Sequence, residues 1–300
     1  MNSFHYDYAV IGGDLRQVYL AAELVRTGCH VCQYALCRSL EQVCPDQNVK
    51  DVLAAPSFED ACRSAACIIC PIPLSRDGIF LNQNRSKKNI PLQQLLMHLT
   101  PDQIFCAGCI PKELRIAARE KNLFLFDFMK DITLSQFNSI ATAEGVIGEA
   151  IRICPKNLHQ SKCAVFGYGV CGRTITDYLK RMYSFVTVAT DPVSERAQAA
   201  LTADEALDLK TSLKYIGNFD FIFNTIPSVI FTKDILSRLK PDTVILDIAS
   251  HPGGIDFNAA KEFPITAMAC PGLPGKYAPL SSAKAIRASV GRAKTEFERS

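Results

Sequence analysis

The sequence carries little net charge: 33 Lys and Arg against 30 Asp and Glu leave +3. So small an excess does not argue for nucleic acid. The basic run Arg85-Ser-Lys-Lys88 reads as a solvated loop rather than a phosphate track. No apolar stretch reaches the roughly 18 residues that a membrane span needs. The N-terminus, Met1-Asn-Ser-Phe-His-Tyr-Asp7, has no signal-peptide pattern and runs straight into a strand, so a cytoplasmic protein is expected. No metal site is expected, although the 13 cysteines include three CxxC pairs, Cys29/Cys32, Cys67/Cys70 and Cys106/Cys109. Cys67 and Cys70 lie in Ala65-Ala-Cys-Ile-Ile-Cys-Pro71, a buried-strand pattern. Residues three apart on a strand point to opposite faces and cannot close on one ion. Cysteine serves such strands as a small core residue in a reducing cell.

What is present is a chain of 300 residues, 48% hydrophobic and 21% charged, which suits two domains with full cores. Its most informative stretch is Gly167-Tyr168-Gly169-Val170-Cys171-Gly172, a GxGxxG run. The apolar strand pattern Lys162-Cys-Ala-Val-Phe166 precedes it, and Arg173 to Met182 has helical spacing. In that context the run predicts a dinucleotide site. Gly167 makes the tight turn, Gly169 lets a pyrophosphate approach, and Gly172 lets helix and strand pack closely. The helix N-terminus supplies N–H groups and a positive dipole end. Residue 190, 23 positions after Gly167, is where an acid normally holds the adenosine ribose of NAD, and here it is Thr190. A small polar residue leaves room for a 2′-phosphate, so NADP is favoured, with Arg196 to meet it; NAD is the alternative if Asp191 turns inward. Phe219 to Pro227 reads as a strand and turn beside the nicotinamide ribose, which adds Thr225, Ile226 and Pro227 to the site.

The chain before this motif also alternates strand and helix: strands at 8–12, 31–36, 66–71, 104–107 and 123–126, and helices at 15–26, 91–99 and 112–121. Further strands are expected at 185–191, 243–249 and 265–269. The fold class is therefore α/β: two Rossmann-like, doubly wound parallel-sheet domains joined by a long helix over 135–153. Residues 1–137 form the first, substrate-binding domain and 138–275 the dinucleotide domain. The C-terminal segment 276–300, with a helix at 281–297, packs back on the first. The first turn, Gly12-Gly-Asp-Leu-Arg-Gln17, lacks the glycine spacing. Asp14, Arg16 and Gln17 make it polar, which suits a substrate, because ligands sit at strand ends in open α/β sheets. The alternative is a helix cap by Asp14 with Arg16 in solvent.

Seven blocks carry a resemblance. They are Ile11-Gly-Gly-Asp-Leu-Arg-Gln17, Asn138-Ser-Ile-Ala-Thr-Ala-Glu-Gly145, Gly167-Tyr-Gly-Val-Cys-Gly-Arg173 and Asn224-Thr-Ile-Pro-Ser228, then Leu246-Asp-Ile-Ala-Ser250, Pro252-Gly-Gly-Ile-Asp-Phe257 and Ala269-Cys-Pro-Gly-Leu-Pro-Gly275. In this order they resemble the dipicolinate synthase A-subunit family of spore-forming bacteria. The resemblance implies oxidation of dihydrodipicolinate, or of its hydroxylated tetrahydro precursor, to the aromatic pyridine-2,6-dicarboxylate. It implies partnership with a flavoprotein-like B subunit, and the mother cell of a sporulating bacterium as location; a homodimer is compatible with it.

A dicarboxylate needs cations, and planar carboxylates favour arginine. Arg16 is the first candidate, with His251 and Lys276 behind it. His251 stands where the family pattern leads us to expect arginine, which would make carboxylate binding there pH-dependent. Glu144 or His251 is the candidate base for the ring proton. Two other readings stand beside this one. One is a different nicotinamide enzyme of 2-hydroxyacid or alanine dehydrogenase type, although the Arg and His–Glu pair of the former are not found in order. The other is a cofactor-binding partner of a flavoprotein with no chemistry of its own.

Overall fold

The computed structural model describes residues 4–45, 49–83, 85–86 and 89–300, so Lys87 and Lys88 of the basic run lie outside the described residues. The chain divides into two compact units, Met1–Phe137 with Ala278–Ser300, and Asn138–Tyr277.

The first unit has six strands: β1 (Tyr6–Ile11), β2 (Val31–Tyr34), β3 (Val52–Ala54), β4 (Ala65–Ile69), β5 (Ile104–Ala107) and β6 (Phe124–Asp127). They pair in parallel in the order β3-β2-β1-β4-β5-β6. The connecting helices are α1 (Leu15–Arg26), α2 (Leu40–Val43), α3 (Phe58–Arg63), α4 (Leu92–His98) and α5 (Lys112–Glu120), and α6 (Ile132–Ile153) follows β6. The division between units falls inside α6.

Strand alternation splits the core of this unit between the two sheet faces. Val10, Cys67, Ile69 and Cys106 pack with Val18, Ala21 and Leu24 of α1 and with Ile286 and Val290 of the C-terminal helix. Ala9, Ile11, Ile68, Cys70 and Phe105 pack with Phe58, Leu92 and Leu95 on the other face. Cys67 and Cys70 therefore belong to opposite faces, as do Cys29 and Cys32. Burying Ile286 and Val290 stabilises the docking of the C-terminal helix by about 1.5–3 kcal/mol each. Ser289 and Arg292 of that helix also bond the Asp131 carboxylate, and Lys294 stands 4.2 Å over the Tyr8 ring.

The second unit repeats the plan. Its elements are β7 (Lys162–Phe166), α7 (Val170–Arg181), β8 (Phe185–Ala189), α8 (Val193–Ala199), β9 (Glu205–Leu207) and α9 (Leu209–Lys214). Then come β10 (Phe221–Asn224), α10 (Lys233–Leu236), β11 (Val244–Asp247), α11 (Phe257–Ala260), β12 (Thr266–Ala269) and α12 (Leu273–Tyr277). The strands are again all parallel, in the order β12-β11-β10-β7-β8-β9. The C-terminal helix, α13 (Pro279–Phe297), closes the chain in the first unit. Each sheet reverses its strand order once, at β1/β4 and at β7/β10. Ligands of such sheets bind outside the carboxyl ends of the strands at that point.

The elements differ from sequence expectation in several places. β3 and β9 are three-residue edge strands outside the expected set, so Phe124–Asp127 is a sixth strand rather than a fifth. α6 starts at Ile132, ahead of Ser135, because Asp131 Oδ1 accepts the Leu134 N–H at 3.2 Å and opens the helix early. α7 starts at Val170, inside the glycine run. Pro91 sits at the N-cap of α4, with ψ 138°, rather than in its first turn. Among the described residues no helix is long and apolar enough to cross a membrane.

Candidate functional site

The glycine turn lies at the switch point of the second sheet, after β7. Gly167 has φ +89°, a left-handed conformation that a side chain would strain. A Cβ there would also meet Thr225 Oγ1 at 2.4 Å, because Thr225 Oγ1 lies against the turn and donates to the Phe166 carbonyl at 2.8 Å. A Cβ on Gly172 would meet the Gly167 carbonyl oxygen at 2.1 Å, so helix and strand pack backbone to backbone. A Cβ on Gly169 would meet nothing within 4 Å. Gly169 is the N-cap of α7 and makes no side-chain cap bond, so the first N–H groups of a 12-residue helix have no side-chain acceptor from the cap. This arrangement fits a pyrophosphate: open space over Gly169, donors, and the positive end of a helix. Tyr168 is buried and Val170 exposed; Arg173 donates from Nε to the Tyr168 carbonyl at 2.9 Å and braces the turn.

The second edge of the site is the end of β8. Gly167 N–H donates to the Ala189 carbonyl at 2.8 Å, which puts Thr190 immediately beside the turn. Thr190 is expected to leave room for a 2′-phosphate. Its buried hydroxyl instead donates to Glu195 Oε2 at 2.5 Å and brings a carboxylate to the strand end. Arg196 Nη1 donates to the carbonyls of Thr190 and Asp191, and Asp191 Oδ1 accepts the Leu209 N–H at 3.0 Å.

The third edge is the end of β10 and β11. The structure brings Thr225 and Ile226 to the glycine turn, where Ile226 Cγ1 would be 3.1 Å from a Cβ on Gly167; Pro227 is exposed. Beneath them lies a polar lock that sequence reasoning did not single out. Buried Asn224 donates from Nδ2 to Asp247 Oδ1 at 2.8 Å and to the Ile226 carbonyl at 3.0 Å. Asp247 Oδ2 accepts the Gly254 N–H at 2.8 Å. A Cβ on Gly254 would meet Asn224 Nδ2 at 2.0 Å, so Pro252-Gly-Gly254 lies flat on this pair. An acid closing the apolar run Val-Ile-Leu-Asp247 was the available signal, since a buried carboxylate needs partners. His251 is exposed in the turn before Pro252.

In the first unit the polar turn after β1 has the expected Asp14 helix cap, but Arg16 is not in solvent. Asp14 caps α1 in a capping box with Gln17, and it also holds Arg16: Nε donates to Asp14 Oδ1 at 2.9 Å and Nη2 to Oδ2 at 2.8 Å. Arg16 Nη2 donates further to the Ile72 carbonyl at 2.5 Å, tying the end of β1 to the end of β4. Arg16 is thus not in solvent; it is 4% exposed, and its Nη1 has no partner among the described residues. Gln17 is fully buried, with Oε1 on the Asp14 N–H and Nε2 without a partner among the described residues. Asp127, at the end of β6, accepts the N–H groups of Cys109 and Ile110, each at 3.1 Å.

Two candidates are committed elsewhere. Lys276 is expected to meet a substrate carboxylate, but it already has one: its Nζ bonds Glu149, which also takes Arg152 at 2.6 Å. Hydrogen bonds from Lys276, then Tyr277, and from Arg152 hold the Glu149 carboxyl down at about 2. Neither Lys276 nor Glu149 revealed this pairing in sequence, where they stand 127 positions apart. Glu144 is exposed on α6 and accepts from the Tyr178 hydroxyl at 3.3 Å, which pushes the Tyr178 phenol up after burial has raised it. Among the described residues no hydrogen bond or ion pair joins Glu144 to His251. The two alternative bases are therefore separate groups. No group of three or more His, Cys, Asp or Glu side chains able to hold a metal occurs among the described residues.

Two parallel sheets of one strand order, one of them with a glycine turn at its switch point, define a protein of two Rossmann-like α/β units. L-alanine dehydrogenase shares that fold, with a TM-score of 0.62 at 14% identity over 97% of this chain and 89% of that one. Within that class the resemblance is specific. Residues 7–129 match the family defined by the N-terminal domain of the dipicolinate synthase A subunit. The dipicolinate synthase A subunit of Bacillus subtilis (strain 168) is 28% identical over 292 residues, 97% of this chain and 96% of that protein. The crystal structure of the Bacillus subtilis protein superposes with a TM-score of 0.81, covering 100% of this chain and 99% of that chain at 25% identity. That of the Bacillus halodurans protein gives 0.80, covering 95% and 96% at 23% identity. From end to end, the chain resembles the dipicolinate synthase A subunit.

Proposed function

We propose that this chain works as a dipicolinate synthase A subunit. In this reading it oxidises dihydrodipicolinate, or its hydroxylated tetrahydro precursor, to dipicolinate, together with a flavoprotein-like B subunit. The observation that carries the reading is the glycine turn at the β7/β10 switch point, with open space over Gly169, on a chain similar along its whole length to that enzyme component. A nicotinamide dinucleotide bound there supplies the hydride acceptor. The chain's own residues bind and position. Gly167 to Gly172 and the first N–H groups of α7 take the pyrophosphate, and Thr225, Ile226 and Pro227 lie toward the nicotinamide side. Arg16, with Nε and Nη2 already fixed by Asp14 and Ile72, offers Nη1 to a substrate carboxylate. Dihydrodipicolinate loses a hydride and a ring proton; the hydroxylated form loses water as well. Glu144 or His251 accepts the proton.

One observation favours a second reading, a dinucleotide-binding partner without chemistry of its own: the internal pairing of Arg16, which leaves it a structural tie between β1 and β4. The test is dipicolinate formation from freshly made precursor with NADP⁺ and with NAD⁺, with and without the B subunit. Product from this chain alone supports the first reading. Absence of product in every mixture refutes it. Arg16→Ala then separates the two: lost substrate binding with an intact complex supports the enzyme, and a lost complex supports the partner.

A further inference from the structure

We infer that the dinucleotide site selects the cofactor without a 2′-phosphate, NAD over NADP, and that Glu195 is the selecting residue. The inference rests on the reading of the second unit as dinucleotide-binding and deepens it. Three placements carry it.

The first is position. β7 and β8 pair with Phe166 opposite Ala189, and Gly167 N–H bonds the Ala189 carbonyl, so the chain after Ala189 borders the glycine turn. In this fold that strand end meets the adenosine ribose. The second is the Thr190–Glu195 hydrogen bond. Thr190 is 3% exposed and lies against Glu195 at 2.5 Å, so a buried hydroxyl fixes a carboxylate that Pro192 and α8 would otherwise carry past the strand end. Oε2 takes the threonine proton. Oε1 is left to accept from ribose hydroxyls, which an ionised carboxylate does well. A 2′-phosphate in the same place would be a second anion in contact with the first.

The third is the state of the nearby cation. Arg196 turns Nη1 back onto the carbonyls of Thr190 and Asp191 and so clamps the loop. Its charge also falls on Asp208, whose carboxyl is lowered first by the Thr211 N–H and hydroxyl and more weakly by Arg196. Asp191, which sequence reasoning weighed as the ribose ligand, is exposed and accepts from Leu209 N–H, so it adds negative charge to the rim. A threonine that in sequence suggests room for phosphate is here the support of an acid.

Binding of NAD⁺ and NADP⁺ to the full chain, by calorimetry and without substrate, tests this apart from activity. Wild type should bind NAD⁺ about 10- to 100-fold more tightly than NADP⁺, the scale of one like-charge contact that salt only partly screens. Glu195→Gln should remove most of that ratio while keeping the melting temperature. Thr190→Val should weaken NAD⁺ binding by releasing the carboxylate. Equal or tighter binding of NADP⁺ by wild type overturns the proposal, as does an unchanged ratio in Glu195→Gln. If ADP-ribose and both dinucleotides fail to bind, the site reading beneath the proposal falls with it.

Discussion

Gly169 and Gly172 stand three residues apart in one motif, and the structure assigns them opposite costs. On Gly172 a Cβ would lie 2.1 Å from the Gly167 carbonyl oxygen and 2.9 Å from its carbon. Both are backbone atoms, so no side chain can swing aside, and α7 must lift from β7. Overpacking of this kind costs about 1–3 kcal/mol, and the rigidity of the obstacle places Gly172→Ala near 3. For a unit of this size that is a fall of roughly 6–12 °C in melting temperature. On Gly169 a Cβ meets nothing, and φ −68° with ψ −167° suits alanine. The weaker N-cap costs under about 1 kcal/mol, and the smaller unfolded-state entropy offsets a similar amount. Gly169→Ala should therefore melt like wild type yet bind NADH at least tenfold less tightly, roughly 1.4 kcal/mol, because its methyl fills the space proposed for the pyrophosphate. Calorimetric melting with NADH fluorescence titration reads both quantities. Equal melting losses in the two variants would refute the packing argument, and wild-type NADH affinity in Gly169→Ala would refute the binding argument.

Asn224→Leu removes two donated bonds and leaves Asp247 short of a partner; a loss of about 1–3 kcal/mol is expected in urea denaturation, and unchanged stability would show that the lock is idle. Glu149 titrates at about 2 in the folded chain against 4.5 unperturbed. Its contribution is present above about pH 4.5 and disappears as pH falls toward 2. Because Lys276 and Arg152 are 59% and 62% exposed, the contribution is discounted to about 1 kcal/mol. Glu149→Gln should flatten the acid limb of the stability curve between pH 4.5 and 2, and an identical limb would remove Glu149 from the account. Burial pushes the Cys62 and Cys163 thiols up to about 12; partial burial and then Asp127 raise Cys109 as well, but that residue stays exposed to reagent. Timed alkylation followed by mass spectrometry should label Cys109 early and those two only after denaturation; early labelling of Cys163 would contradict its burial.

Local signals carried most of the fold. Leu15–Arg26 is a helix over the residues its pattern predicts because both ends are local, the Asp14–Gln17 box at the start and the Thr27 cap before Gly28 at the end. β3 and β9 escaped because three-residue edge strands with half-exposed patterns leave too little apolar periodicity to read. The site divides the same way. The glycine turn follows from spacing, since it is built within a few residues. The pairings of Arg16 and Lys276 were not legible because each depends on which partner folding delivers: Ile72 is 56 positions from Arg16 and Glu149 is 127 from Lys276. Glu195 is only five positions from Thr190, but a side chain turning back across a proline has no signature in composition.

The return of α13 to the first unit sets an order of events during synthesis. Ala283, Ile286, Val290 and Ala293 belong to the core formed by β1, β4 and α1, although they are translated after the whole of the second unit. The unit begun first cannot close until 140 further residues, Asn138–Tyr277, have been made, a delay of roughly ten to thirty seconds at ordinary elongation rates. The second unit is continuous and waits for nothing downstream. Proteolysis of stalled nascent chains would show the order directly, with the later half resistant while the earlier half is still cut. Of the two units, the one that starts earlier in the chain is therefore completed later.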